Sequence, residues 1–194
     1  AGTGKSPGMS GVFMGTNRNK RSVAIDIKTP SGKKAILDLI KNADVFVTNI
    51  RRKALERLGL DYEALRILNP ALIHASALGY GRGGPYEDRP AFDDTTQAIS
   101  GLASLQAAMN GVPGYVATAV ADKISGLTLA LAVVAAVRHK DVTGEGQQVE
   151  VPMFETMVAF NMVEHLAGRT FEPPTGPAMY SRTISKFRKP YRTL

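Results

Sequence analysis

Apolar positions along this chain alternate between two spacings. Ser22–Ile27 (SVAIDI), Asp44–Asn49 (DVFVTN) and Ala71–Leu78 (ALIHASAL) are short apolar runs rich in β-branched residues. They read as strands covered on both faces. After Thr29-Pro30-Ser31-Gly32, the residues Ala35, Ile36, Leu39, Ile40 and Ala43 keep the spacing of one helix face. Lys53–Leu58 predicts a short helix closed by Gly59. Asp61 is placed to cap another, with Tyr62, Leu65 and Leu68 on one face and Asn69-Pro70 at its end. Strand, helix, strand, helices, strand is the order of βαβ units. The fold class expected over residues 20–80 is α/β, a Rossmann-like open parallel sheet with flanking helices.

The pattern continues beyond the third strand. Gly79–Pro90 (GYGRGGPYEDRP) is a loop dense in Gly and Pro. Asp93–Met109 predicts one helix. Ala121–Lys140 predicts the longest helix, apolar nearly all round from Ile124 to Val137 and therefore buried. Asp141–Gly146 is a turn, Gln147–Pro152 a strand and Phe154–Gly168 a helix. From Arg169 onward Pro, Gly, Arg and Lys dominate, and an extended segment is expected. Residues 1–168 thus read as the central part of a large domain, and 169–194 as a linker leading out of it. There is no internal repeat.

Composition narrows the chemistry. The chain has 194 residues, 44% hydrophobic and 21% charged, which is ordinary globular composition. Its 24 Lys and Arg against 17 Asp and Glu leave a net charge of +7. Such a surface suits an anionic ligand, a nucleic acid or an acidic partner, and the mixed signs do not choose among them. Cysteine is absent, which excludes disulfides, thiolate metal sites and cysteine nucleophiles. It also fits a reducing compartment, and the cytoplasm is expected. His74, His139 and His165 are far apart in sequence, so no metal site is expected. The apolar run Leu127–Val137 is shorter than the roughly 20 residues that cross a bilayer, and no membrane partner is expected. The chain opens on AGTGKSPGMSG without an initiator Met and closes on Tyr191-Arg192-Thr193-Leu194, which reads as the start of a strand. Both ends lead to the expectation of a piece of a longer protein.

Several residues are candidates for chemistry. Asn17-Arg18-Asn19-Lys20-Arg21 is a basic cluster before the first strand, readable as a phosphate site or as a solvated charge run. A nucleic-acid surface would interleave aromatics with such a run, and only Phe13 lies near Lys20, so none is expected. The glycines of Gly79–Gly84 follow the third strand, where open sheets bind ligands, but they form no dinucleotide fingerprint. Asp122, in VADKISG, opens the long helix. It reads either as a charge complementing the helix dipole or as a carboxylate nucleophile or base in a cleft. Asp93-Asp94 reads as a helix start, and His74 as a core residue.

The order of the motifs says more than any one of them. NRNKRSVAIDIKTPSGKKAILDLIKNADVFVTN, LERLGLDYEALRILNPALIHASALGYG, GPYEDRPAFDDTTQAISGL, ADKISGLTLALAVVAAV and TGEGQQVEVPMFETM follow one another. This series resembles the class III coenzyme A transferase family, which includes formyl-CoA transferase, carnitine CoA-transferase and alpha-methylacyl-CoA racemase. The likeness runs from about Phe13 to Leu194.

The resemblance implies an enzyme that moves coenzyme A between an acyl-CoA thioester and a free carboxylic acid. Its substrates would be coenzyme A, acyl-CoA and a carboxylic acid, with no metal. The family's proteins are about twice this long and form interlocked homodimers. The catalytic aspartate falls on Asp122. Ile25, Asp26, Ile27 and Lys28 match the stretch lining the adenine and phosphate end of CoA. Asn49 matches the asparagine ending the second strand, and Arg57 an arginine that meets CoA phosphates. Lys20 and Arg21 rank below these. The racemase branch carries a histidine directly before the aspartate that follows the Gly-rich loop; Phe92 stands there instead, before Asp93. Without an imidazole, two-base proton transfer at an α-carbon lacks a partner, which favours transfer over racemisation. An inactive CoA-binding or assembly fragment remains a further alternative.

Overall fold

A computed structural model describes residues 10–192; the glycine-rich opening up to residue 9 and the final two residues lie outside the described residues. The chain divides into two compact units, residues 1–38 and 39–194. The second unit therefore includes residues 169–192, the segment expected to be a linker.

The first unit holds α1 (Gly11–Thr16) and most of α2 (Pro30–Ile40). Ser10 caps α1 by accepting the Phe13 N–H at 3.0 Å. Ser22–Ile27, expected as a strand, forms none. A strand exists only through the ladder it shares with a neighbour, and among the described residues this segment has no such neighbour. Its end is instead a turn built on Asp26. The carboxylate takes the Lys28 N–H at 3.0 Å, and the Asp26 carbonyl takes the Thr29 hydroxyl at 2.9 Å. Thr29 Oγ1 in turn accepts the Gly32 N–H in the first turn of α2.

The second unit is built on a three-stranded parallel sheet in the order β1 (Val45–Thr48), β2 (Ile73–Leu78), β3 (Gln148–Pro152). Val45 pairs with Ile73, and Leu78 with Pro152. Parallel pairing requires crossovers. The first is made by α3 (Arg52–Leu58) and α4 (Tyr62–Leu68). The second is made by α5 (Asp93–Ile99), α6 (Leu102–Asn110) and α7 (Val120–Thr143). The chain continues into α8 (Met153–His165) and a short 3-10 turn at Ala167–Thr170. The expected caps form: Asp61 accepts the Ala64 N–H at 3.1 Å, and α3 closes on Gly59.

The middle strand β2 is the most buried, with Ile73 and Ala75 wholly inside. Leu129, Ala132 and Val133 of α7 pack on one face of the sheet with Ala75 and Val151. On that account α7 is buried along one stripe only. Ala121, Ser125, Leu129 and Ala136 are inside, while Leu127, Leu131 and Val134 lie at the surface. Apolar composition all round does not decide burial; the number of neighbouring elements does. By length and composition alone α7 is also apolar enough to cross a membrane, because one stretch of 18 residues within its 24 has a mean hydropathy of 1.8, which the shorter apolar run did not reveal.

The helix expected over Asp93–Met109 is two helices. Gly101 breaks it with φ +89°, a backbone state open to glycine at little cost. The break lets the buried Asn161 of α8 reach in and donate to the Ser100 carbonyl at 3.1 Å.

Candidate active site

All three strands end on one cavity of roughly 400 Å³. Asn49 follows β1, Gly79 follows β2 and Met153 follows β3, and each lines it. This is the carboxyl edge of the sheet, where open α/β folds hold their ligands. Asp122 enters from the first turn of α7, with Ser125 and Gly126 behind it. Arg51 comes from the head of α3, and Arg89 and Phe92 from the loop before α5.

Asp122 keeps contact with solvent, yet burial around it and then the nearby Asp93 carboxylate raise its pKa above the ordinary aspartate range. A carboxylate held that way is a better base and nucleophile than a free one. The start of α7 is tightly bonded. Val120 N–H donates to the Thr118 carbonyl at 2.7 Å, Asp122 N–H to Asp93 Oδ1 at 3.0 Å and Lys123 N–H to the Ala119 carbonyl at 3.2 Å. Those donors are not open to a reacting oxyanion, although a helix N-terminus in general offers such groups.

Asn49 and Asp122 are thus brought to one cavity. Arg57 is not part of its lining; it lies exposed in the last turn of α3. Ile25, Asp26, Ile27 and Lys28 belong to the other unit. There Asp26 and Lys28 are exposed in the turn described above, and Ile25 and Ile27 are half-buried. Lys20 and Arg21 are exposed, with Lys20 Nζ donating to Asn17 at 3.2 Å. His74 is a core residue, as its apolar strand predicts. Its Nε2 lies 3.1 Å from the Leu60 carbonyl, which only accepts, so Nε2 carries the proton and Nδ1 faces the Ser76 hydroxyl.

Sequence reasoning missed Arg51 and Arg89. Arg51 pairs with no carboxylate among the described residues, and Arg89 stacks over the Tyr86 ring at 5.1 Å. Arg51 sits two residues past the end of β1's apolar run, a position that itself signals the sheet's carboxyl edge. Arg89 is hidden in an irregular loop. A smaller cavity of about 90 Å³ lies between Arg52, His74 and Glu150. Both of its arginines, Arg52 and Arg82, are already paired with Glu150.

The family described as CoA-transferase family III matches residues 1–193. A succinate–glutarate CoA-transferase of Agrobacterium fabrum is 38% identical over 81% of this chain and 40% of its own length. A formyl-CoA:oxalate CoA-transferase of Rhodopseudomonas palustris is 38% identical over 78% of this chain and 35% of its own. The crystal structure of a CAIB/BAIF family protein from Brucella suis superposes with a TM-score of 0.76 and 30% identity, covering 85% of this chain and 44% of that one. The chain therefore spans less than half the length of these relatives.

Proposed function

The chain belongs to CoA-transferase family III, and from that premise we propose that it moves coenzyme A between an acyl-CoA thioester and a carboxylic acid, with Asp122 as the covalent nucleophile. The observation that carries this reading is the cavity at the carboxyl edge of the sheet. It gathers one carboxylate of raised basicity, Asp122, with two arginines and Asn49. The arginines suit anionic substrates, whether the phosphates of CoA or a free acid. Transfer between carboxylic acids is named for the relatives.

In the first step Asp122 attacks the thioester carbonyl. The carbon–sulfur bond breaks, CoA leaves as thiolate and a mixed anhydride forms on Asp122. The thiolate then attacks the aspartyl carbonyl, the donor acid leaves as carboxylate and an aspartyl-CoA thioester remains. An acceptor carboxylate attacks that thioester, making a second anhydride and freeing the thiolate again. Attack of the thiolate on the acceptor's carbonyl yields the new acyl-CoA and restores Asp122. No proton is gained or lost over the cycle, which is why a carboxylate serves without an imidazole beside it. Ile25, Asp26, Ile27, Lys28 and Arg57 are proposed as further contacts to CoA, and a homodimer in the cytoplasm as the working form.

Racemisation is the second reading within the family. It is disfavoured by Phe92, which stands 72% exposed on the cavity wall where that branch carries histidine. In heavy water a chiral 2-methylacyl-CoA should gain no α-deuterium.

Hydroxylamine trapping tests the nucleophile. Added during turnover of the natural full-length protein, it should convert Asp122 to its hydroxamate, read by peptide mass. Asp122→Asn should lose transfer by several orders of magnitude. Label on another carboxylate, or full activity in that variant, would remove Asp122 from the role.

A further inference from the structure

The first turn of α7 has no cap of its own. The residue before it, Ala119, has no side chain able to accept a hydrogen bond. Its capping carboxylate is borrowed from another helix: Asp93, the first residue of α5, takes the Asp122 N–H on Oδ1 at 3.0 Å. The other oxygen, Oδ2, accepts Gln97 Nε2 at 2.6 Å. Gln97 is wholly buried, and its Oε1 accepts the Val116 N–H at 2.9 Å. The segment leading into α7 and the Asp93 carboxylate are therefore locked by the same side chain. With both oxygens engaged, Asp93 has a fixed orientation and holds a negative charge at the backbone of Asp122.

We infer that Asp93 is a positioning residue, which both anchors the first turn of α7 and drives Asp122 towards its uncharged, covalently acylated forms. The inference rests on the reading of Asp122 as the nucleophile. In the resting state the Asp93 carboxylate is bonded to the backbone of the residue that carries the second carboxylate, and like charges brought to one helix start repel. Converting Asp122 into an anhydride or thioester removes its charge and the repulsion with it. The free carboxylate is disfavoured relative to the covalent intermediate, and Asp122 is made more basic. Asp93 would do this without touching substrate.

Other charged groups around α7 are placed differently. Arg51 and Arg89 line the same cavity, and Lys123 is held by the Thr118 hydroxyl. Asp94 is the exposed neighbour on α5. Glu155 of α8 accepts the Gly81 N–H, and Glu150 of β3 is paired with Arg52 and Arg82. On β2, His74 is bonded to Leu60. Among the charged side chains of the described residues, Asp93 alone bonds directly to the Asp122 backbone.

The test compares Asp93→Asn, Asp93→Glu and Asp94→Asn in the natural full-length protein supplied with acyl-CoA. Two quantities are read: the fraction trapped as Asp122 hydroxamate, and the pH profile of intermediate formation. Asp93→Asn keeps an oxygen for the Asp122 N–H but loses the charge. Its trapped fraction should fall about fourfold, the order of change expected from removing one neighbouring like charge in a largely solvated site. The acid limb of its pH profile should move to lower pH. Asp93→Glu should recover both, and Asp94→Asn should change neither. An Asn variant with lowered thermal stability but unaltered trapping and pH profile would make Asp93 a structural cap only. An equal shift in Asp94→Asn would assign the effect to general surface charge. If Asp93→Asn does not fold, the Glu variant decides: restored folding without restored trapping overturns the inference. Wild-type label on a residue other than Asp122 would instead defeat the underlying reading, whatever Asp93 does.

Discussion

Glu150 on β3 accepts Arg52 Nε at 3.2 Å and thereby ties the head of α3 to a strand that lies 98 residues further along the chain. Arg52 is only 12% exposed, and its guanidinium also reaches Glu87 and the Tyr80 carbonyl. Arg82 joins Glu150 from the glycine-rich loop at 2.9 Å. One carboxylate thus holds β3, the start of α3 and the loop after β2 together, close to the carboxyl edge where the cavity opens.

Removing that carboxylate should loosen the fold. Burial pushes the Glu150 carboxyl up, but hydrogen bonds and charge from Arg82 and Arg52 hold it below the ordinary glutamate range. A group depressed in this way contributes stability above its unfolded value, and the contribution is lost as pH falls through the lower folded value. Glu150→Gln should lower stability by about 1–2 kcal/mol at neutral pH, because it leaves a buried guanidinium short of its partner while solvent screens part of the loss. The difference from wild type should vanish on the acid side of the ordinary glutamate range. Chemical denaturation at several pH values checks both statements.

Asp122 titrates in the opposite sense. Burial, then the Asp93 charge, raise it, so its ionised form is disfavoured in the fold at neutral pH and the penalty is relieved as pH falls through the raised value. Asp122→Asn should therefore leave stability unchanged or raised at pH 7 while abolishing transfer. The gain over wild type should disappear in acid. A thermal midpoint lower than wild type at neutral pH would mean that the charge supports the helix rather than straining it.

Gly146 cannot carry a side chain. A Cβ there would overlap the Leu72 carbonyl oxygen and come within 2.6 Å of the Ala71 and Leu72 carbonyl carbons, where the chain enters β2. Its N–H also donates to the Pro70 carbonyl at 3.0 Å. Gly146→Ala should cost roughly 1–3 kcal/mol, since backbone must move to admit the methyl group. Gly114→Ala, where the added carbon meets nothing within 4 Å, is the control that should leave the denaturation midpoint near wild type.

Coenzyme A should raise the thermal midpoint of the protein, as any ligand that binds only the folded state does. Arg57→Glu should weaken its binding by roughly 1–3 kcal/mol if the exposed guanidinium meets a phosphate, the scale of a hydrogen bond to a charged group. Titration calorimetry with CoA reads the difference. Unchanged affinity would take Arg57 out of the site, in keeping with its absence from the cavity wall.

Local rules were enough for much of this chain. The apolar runs at Val45–Thr48 and Ile73–Leu78, the Asp61 cap and the Gly59 closure each depend on a few neighbouring residues, so the sequence determined them by itself. The βαβ order then followed from the alternation, and the motif series pointed to the family. Tertiary structure decided whatever needed a distant partner. Ser22–Ile27 has the composition of a strand but no ladder among the described residues. The outer face of α7 is as apolar as its inner face, and only the packing of the sheet separates Leu129 from Leu131. Asp93 and Asp122 are 29 residues apart in sequence, and no spacing rule predicts that one side chain caps the other's helix. Helix periods and caps act over one or two turns, whereas a borrowed cap and a shared cavity arise only where the chain has folded back on itself.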